Sequence, residues 1–306
     1  MSTLAHAPTL PHGHLLRGRA LVLLAGAFWS IAGLLVRMID AAGPWQILTY
    51  RSLSLVVFLL VILALRDGGR PWAALRRDAG LSMLAGLFLC CAFSCYILAL
   101  TMTTVANVLF LLTAAPLLAA GLGRVVLGER VRSVTWAAML LALLGVGIMA
   151  YNGLSGGNPV GDLLGLGAAF GFAGFTVTLR KKPGIDMLPS VVYGGLLGCV
   201  IGTVAAVILE GGLMVGGRDL LLCFVLGSVQ LGAGLVVYTF GARHLPAAEC
   251  VLLSLSEVVL GALWVWIFFA ETPTPTALAG GAVLCGAILL YALSGLTRRR
   301  PPIGVV

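Results

Sequence analysis

The sequence predicts an all-α integral membrane protein with ten transmembrane helices in two inverted five-helix repeats. Three observations carry this. Of 306 residues, 60% are hydrophobic and 10% are charged, against roughly 45–50% and about 25% in soluble globular chains. The apolar residues gather in ten runs, which we number as spans 1 to 10: 19–39, 45–65, 78–100, 104–126, 134–151, 161–180, 189–209, 219–241, 245–269 and 276–295. Each is near or above the ~18–20 residues that carry a helix across a ~30 Å hydrocarbon core. The chain also repeats itself. Ala99–Glu129 echoes Gly241–Glu271 at an offset of 142 residues, and the same offset lays Ala27-Phe28 on Ala169-Phe170. Five spans per repeat is an odd number, so the second repeat enters the membrane from the opposite side, a common plan among secondary transporters.

In chain order, 1–18 is a polar tail, 19–151 the first repeat, 152–160 a Gly/Asn/Pro linker, 161–295 the second repeat and 296–306 a basic tail. The first apolar run is too long for a signal-peptide core and is read as a retained helix. The longest connection, Arg66–Arg77, is about a dozen residues, which leaves no room for a soluble domain.

The net charge of +8 is distributed with the topology rather than as a nucleic-acid patch. With the N-terminus inside, 16 of the 19 Lys and Arg residues fall on the cytoplasmic side, and only Arg37, Arg51 and Arg218 lie toward the other. This bias places both termini in the cytoplasm and makes Arg298–Arg300 an anchor. All seven cysteines fall inside spans without metal-ligand spacing, so they read as small packing residues, and no metal or cofactor is expected. Gly153-Leu154-Ser155-Gly156-Gly157 resembles a serine-nucleophile string, but its Ser lies on the outer linker and His244 lies on the cytoplasmic side, so no dyad forms. No HExxH, P-loop or Cys/His cluster is present. The chain is therefore read as a non-enzyme.

Polar groups at membrane depth are costly and face the bundle interior. Span 1 offers Trp29, Gly33, Arg37 and Asp40; span 2, Gln46, Tyr50, Arg51 and Ser54; span 3, Tyr96; span 4, Asn107 and Pro116. Pro116 removes a backbone hydrogen bond, giving either a gating hinge or a static kink. Spans 5 and 10 are almost free of polar side chains. Gly145, Gly147, Ala277, Gly281 and Cys285 permit close helix approach there, which suits a supporting role or a homodimer seam. Span 7 has Tyr193, and span 8 has Gln230, Gly234 and Tyr238 at helical spacing.

Span 9 is the most informative. Glu249, Leu253, Ser256, Glu257, Leu260 and Trp264 share one helical face about 100° wide. Glu257 lies ~18 Å from the cytoplasmic end and Arg51 ~9 Å from the outer end of its helix, which brings the two to similar depth. They share a central cavity as an ion pair that locks spans 2 and 9, as a pair at the site, or as separate holds on the two ends of a zwitterion. Glu249, the repeat mate of Asn107, is either a proton-coupling group or a hydrated acid paired with Arg243 or His244. Glu257 is the other acid available for coupling. Glu129 and Glu271 mark helix ends at opposite faces.

With these features the sequence resembles the EamA family of the drug/metabolite transporter superfamily: Trp29 in span 1, Arg51 in span 2, Gly128-Glu129 closing the first repeat, and Leu255-Ser256-Glu257-Val258, with Val where the family usually has Pro. The resemblance implies a multi-pass carrier of the bacterial inner membrane that exports amino acids or related small metabolites by alternating access, through a cavity among spans 1–4 and 6–9. The expected substrate contacts are Trp29, Tyr50, Arg51, Tyr96, Asn107, Gln230, Tyr238, Ser256, Glu257 and Trp264. The expected partners are a small-molecule substrate and the lipid bilayer. A broad-specificity efflux carrier, an intramembrane enzyme and a non-transporting scaffold are the alternatives.

Overall fold

The computed structural model describes residues 12–66, 68–69, 71–103, 105–129, 131–151, 158–182, 186, 188–269 and 275–293. The Gly153–Gly157 string, Glu271 and Arg298–Arg300 lie outside the described residues. Span 1 is α1 (His12–Ser30) and α2 (Ala32–Arg37); span 2 is α3 (Pro44–Arg66), followed by a short α4 (Pro71–Arg76); span 3 is α5 (Ala79–Met102). Span 4 is α6 (Val105–Leu112) and α7 (Ala115–Leu127), span 5 is α8 (Ser133–Ala150), span 6 is α9 (Pro159–Arg180) and span 7 is α10 (Leu188–Leu209). Span 8 is α11 (Gly217–Val225), a π-helical segment (Leu226–Ala233) and α12 (Gly234–Ala242); span 9 is α13 (Ala247–Ser254) and α14 (Ser256–Phe269); span 10 is α15 (Pro275–Leu293). No strand occurs among the described residues. Eight helical stretches are long and apolar enough to cross a membrane, while spans 5 and 10 supply shorter apolar helices, Ser133–Met149 and Leu278–Tyr291.

The packing follows the repeat. Span 2 lies against span 7, span 5 against span 10, span 4 against span 9, and span 3 against span 6 just as span 8 lies against span 1. Exchanging the repeats therefore maps this set of contacts onto itself. Small residues make the closest approaches: a Cβ on Gly145 would stand 2.8 Å from the Gly280 carbonyl oxygen. Spans 5 and 10 pack on each other within the chain, with Gly280 rather than Gly281 at the contact.

Hydrogen bonds tie the repeats together at two ends of the bundle. At the end rich in Arg and Lys, here the basic end, Arg66 of the first repeat bonds Asp186 of the second at 2.5 Å, and Arg243, of the same repeat as Asp186, forms an ion pair with that carboxylate at 3.6 Å. At the opposite end the Glu210 carboxylate accepts the N–H groups of Trp45 and Gln46, both at 2.9 Å, at the start of span 2. Spans 2 and 7 are thereby fastened to each other at both ends.

Four spans are interrupted at mid-length. Span 4 breaks at Thr113–Ala114, where Pro116 has no N–H to donate. Span 9 breaks at Leu255, the position 142 residues on from Thr113, although Val258 stands where Pro116 does. The two breaks are built alike: the Thr113 hydroxyl bonds the carbonyl of Phe110, and the Ser254 hydroxyl bonds that of Val251 at 2.8 Å. A hydroxyl bonding back to its own helix favours such bends. Span 1 breaks at Ile31, and span 8 passes through its π segment. The sequence reading anticipated only the interruption at Pro116.

Candidate functional site

Gly26 of α1 faces the break in span 9, where an added Cβ would lie 3.3 Å from the Ser254 carbonyl oxygen and 3.4 Å from the Glu257 nitrogen. Only a residue without a side chain allows span 1 so close to this break. Three residues on, Trp29 is 7% exposed and packs its ring against Tyr238 at 5.2 Å and Phe172 at 5.6 Å. Gln230, in the π segment, donates to the Trp29 carbonyl at 3.2 Å, next to the interruption in span 1. Ser30 accepts from the Trp264 indole at 2.8 Å. The interruptions of spans 1, 8 and 9 therefore meet around Trp29 and Ser30.

The charged groups stand on the neighbouring helices. Gly227 of the π segment lies directly against the backbone carbonyl of Arg51 on α3, which brings span 8 onto span 2. The Arg51 guanidinium is stacked over the Phe93 ring at 5.1 Å. The residue is 8% exposed, and its Nε and Nη2 are buried without a hydrogen-bond partner among the described residues. Glu257 opens α14 immediately after the break and is half-buried, and no hydrogen bond or ion pair to it is found among the described residues. Tyr96, one helical turn beyond Phe93, is within electrostatic reach of both Arg51 and Glu257. A buried charge is strongly unfavourable unless something compensates it. Here two groups of opposite charge type lie within reach of one tyrosine, and neither is bonded to the other.

The residues expected to contact substrate fall into four groups. Arg51 and Glu257 each lie within electrostatic reach of Tyr96, and Trp264 is anchored by Ser30. Trp29, Gln230 and Ser256 form the layer where the helix breaks meet. Tyr238 is fully buried and bonded to the Thr176 hydroxyl at 2.8 Å, so it belongs to the packed core. Tyr50 and Asn107 lie apart from the others. The Tyr50 hydroxyl donates to the Leu213 carbonyl, and Asn107 donates to Thr103 at 3.0 Å and to Asp162 at 3.1 Å, all at the opposite end.

Glu249 departs from the expectation of a hydrated acid. It is 7% exposed and accepts a hydrogen bond from Tyr291, whose hydroxyl also accepts from Arg19 at 3.3 Å. Span 10 covers it, and Arg243, one of its expected partners, faces Asp186 instead. Sequence reasoning missed Phe93, Ser30 and Asp162. Phe93 carried a usable signal, lying one turn before Tyr96 on the same helix, whereas the partnership of Asp162 with Asn107 depends on tertiary packing alone.

Helices with interrupted centres, paired across an inverted two-fold and enclosing isolated charges, define a class of multi-pass membrane carriers. The chain belongs to the EamA-like transporter family, which it matches over residues 16–151 and again over 159–293. It is 29% identical over 276 residues to an uncharacterized transporter of Archaeoglobus fulgidus, covering 89% of this chain and 95% of that one. It is 26% identical over 279 residues to the pseudopaline exporter CntI of Pseudomonas aeruginosa, covering 89% and 94%. A crystal structure of a protein 19% identical superposes with a TM-score of 0.78 over 91% of this chain and 98% of the other, which supports the fold.

Proposed function

We propose that this transporter is a secondary carrier that exports a small amphoteric metabolite, an amino acid or a related compound, across a bacterial inner membrane by alternating access. The observation that carries the reading is that Arg51 and Glu257 both lie within electrostatic reach of Tyr96, each lacking a bonded protein partner among the described residues. A carboxylate opposite Arg51 and an ammonium opposite Glu257 would compensate both charges at once. The similarity to an exporter supports the direction, and the charge bias supports a cytoplasmic basic end with both termini inside.

The test is counterflow into liposomes containing the purified protein, using a panel of amino acids, their amides and their decarboxylated amines. Zwitterions should be exchanged, while Arg51→Gln loses at least tenfold toward zwitterions and less toward the amines. Glu257→Gln should show the converse. Absence of counterflow for every compound, with the protein folded, would sink the carrier reading. Exchange of apolar cations that ignores Arg51→Gln would instead favour broad-specificity efflux.

A further inference from the structure

The basic end is closed by one carboxylate and one guanidinium that satisfy the ends of several helices. Gly128, at φ 67°, ends α7 in a left-handed turn, and the Glu129 N–H returns to the Gly123 carbonyl at 3.1 Å. This turn, which a side chain at position 128 would resist, aims Glu129 across the end of its own helix. Its Oε1 accepts from Arg180 Nε at 2.7 Å and its Oε2 from the Ala247 N–H at 3.2 Å. Ala247 is the first residue of α13, where backbone N–H groups lack intrahelical partners and a negative charge is favoured. Arg180, the last residue of α9, also donates from Nη1 to the carbonyl of Ala242 at 3.0 Å and to that of Leu245, in the connection between spans 8 and 9. Two side chains thus hold spans 4, 6, 8 and 9 at a single point.

Beneath this point lies a hydrophobic cluster separate from the main core: Ala115, Ala119, Ala169, Ala173, Val177, Ala247 and Val251. Five of its seven members are alanines. Leu112, Leu118, Leu122, Leu127 and Phe172 pack around these small residues, so the seam between spans 4, 6 and 9 has a centre of little apolar area bordered by larger side chains. The polar clasp adds direct hydrogen bonds across the end of this seam. A few residues further along spans 4 and 9 lie the breaks at Thr113–Ala114 and Leu255, where the near halves of both helices can turn.

We infer that Glu129 and Arg180 form the gate of the transport path at the basic end, and that their contacts with the span 8–9 connection must break once in every cycle. The inference rests on the carrier reading, and the experiment separates the two. A Cβ on Gly123 would lie 4.0 Å from that of Ala247, within the 3.5–4.5 Å that a disulfide requires. The double variant Gly123→Cys/Ala247→Cys is assayed for counterflow after oxidation, with the bridge verified by peptide mapping, and again after reduction with dithiothreitol. The expected result is at least a tenfold loss on oxidation that reduction reverses. Full counterflow through the bridged protein would overturn the gate while leaving the carrier intact, whereas wild-type protein without counterflow would remove the carrier reading itself. Should the reduced double variant be inactive, Arg180→Lys decides. Fully buried Cys250 of α13, whose Sγ lies 3.7 Å from the Leu245 carbonyl, should then react with a polar maleimide at least tenfold faster than in wild type. An unchanged rate in this variant would overturn the gate.

Discussion

Asp78 and Asp219 stand at matching places, each at the start of the third span of its repeat. Each holds the connection between the first two spans of the other repeat. Asp219 is 4% exposed, and its two oxygens collect the N–H groups of Asp40 at 3.2 Å, Ala41 at 2.8 Å and Ala42 at 3.0 Å. Asp78 makes one bond of 2.8 Å to Lys182, whose side chain is 57% exposed. The repeats preserve the position of the acid but not the work it does. The same holds elsewhere: Asn107 is held by Asp162 where its mate Glu249 is held by Tyr291, and Pro116 accompanies a break that Val258 accompanies in the other repeat.

Breaking these pairs should give unequal effects. Asp219→Ala leaves three backbone donors without their acceptor in a buried site and should lower the melting temperature of the detergent-solubilised protein by about 5 °C or more. Glu249→Gln keeps a hydrogen bond to Tyr291 but removes the charge beside Arg19, so it should cost ~1–2 kcal/mol by chemical denaturation. The pH profile of transport should not change. A displaced profile would show that Glu249 takes part in coupling. Val258→Pro removes the Val258 N–H bond to the Leu255 carbonyl, now 3.0 Å, and should cost ~1 kcal/mol, against ~3 kcal/mol for proline inside an unbroken helix. A loss near the larger figure would mean that the break at Leu255 is not equivalent to that at Pro116. The smallest effect is expected for Asp78→Asn, within ~0.5 kcal/mol, and raising the salt concentration should leave the wild-type melting temperature almost unchanged. If Asp78→Asn and Asp219→Ala proved equally damaging, the asymmetry between the two ends would disappear.

The helical spans and the repeat were legible because apolar runs and a constant offset are properties of the chain itself. The interruptions were legible only where proline announced one. Ser254 supports the break in span 9 by bonding its own helix, and serine in an apolar run carries no unambiguous signal of that choice. Arg51, Tyr96 and Glu257 could be nominated because ionisable and phenolic groups are rare at such depth. Tyr50 and Tyr238 were nominated on the same grounds, yet one reaches a loop carbonyl and the other sits in the core, since helical spacing fixes a direction on one helix and not what stands opposite. Gly128-Glu129 was visible as a motif. Its contact with Ala247 required the fold, because it joins residues 118 apart in the chain.

The π segment in span 8 bears on how the halves diverged. From Asp78 to Asp219 the spacing is 141 residues, and from Ala99 to Gly241 it is 142, so the second repeat has one residue more within this span. A single added residue is what a π turn absorbs inside an α-helix. Deleting Val229 should restore a plain helix and rotate one side of it by about 100° relative to the other. Gly227 would then no longer face the Arg51 carbonyl while Gln230 faces Trp29. One residue more has thus given the second repeat two helix faces where its counterpart has one.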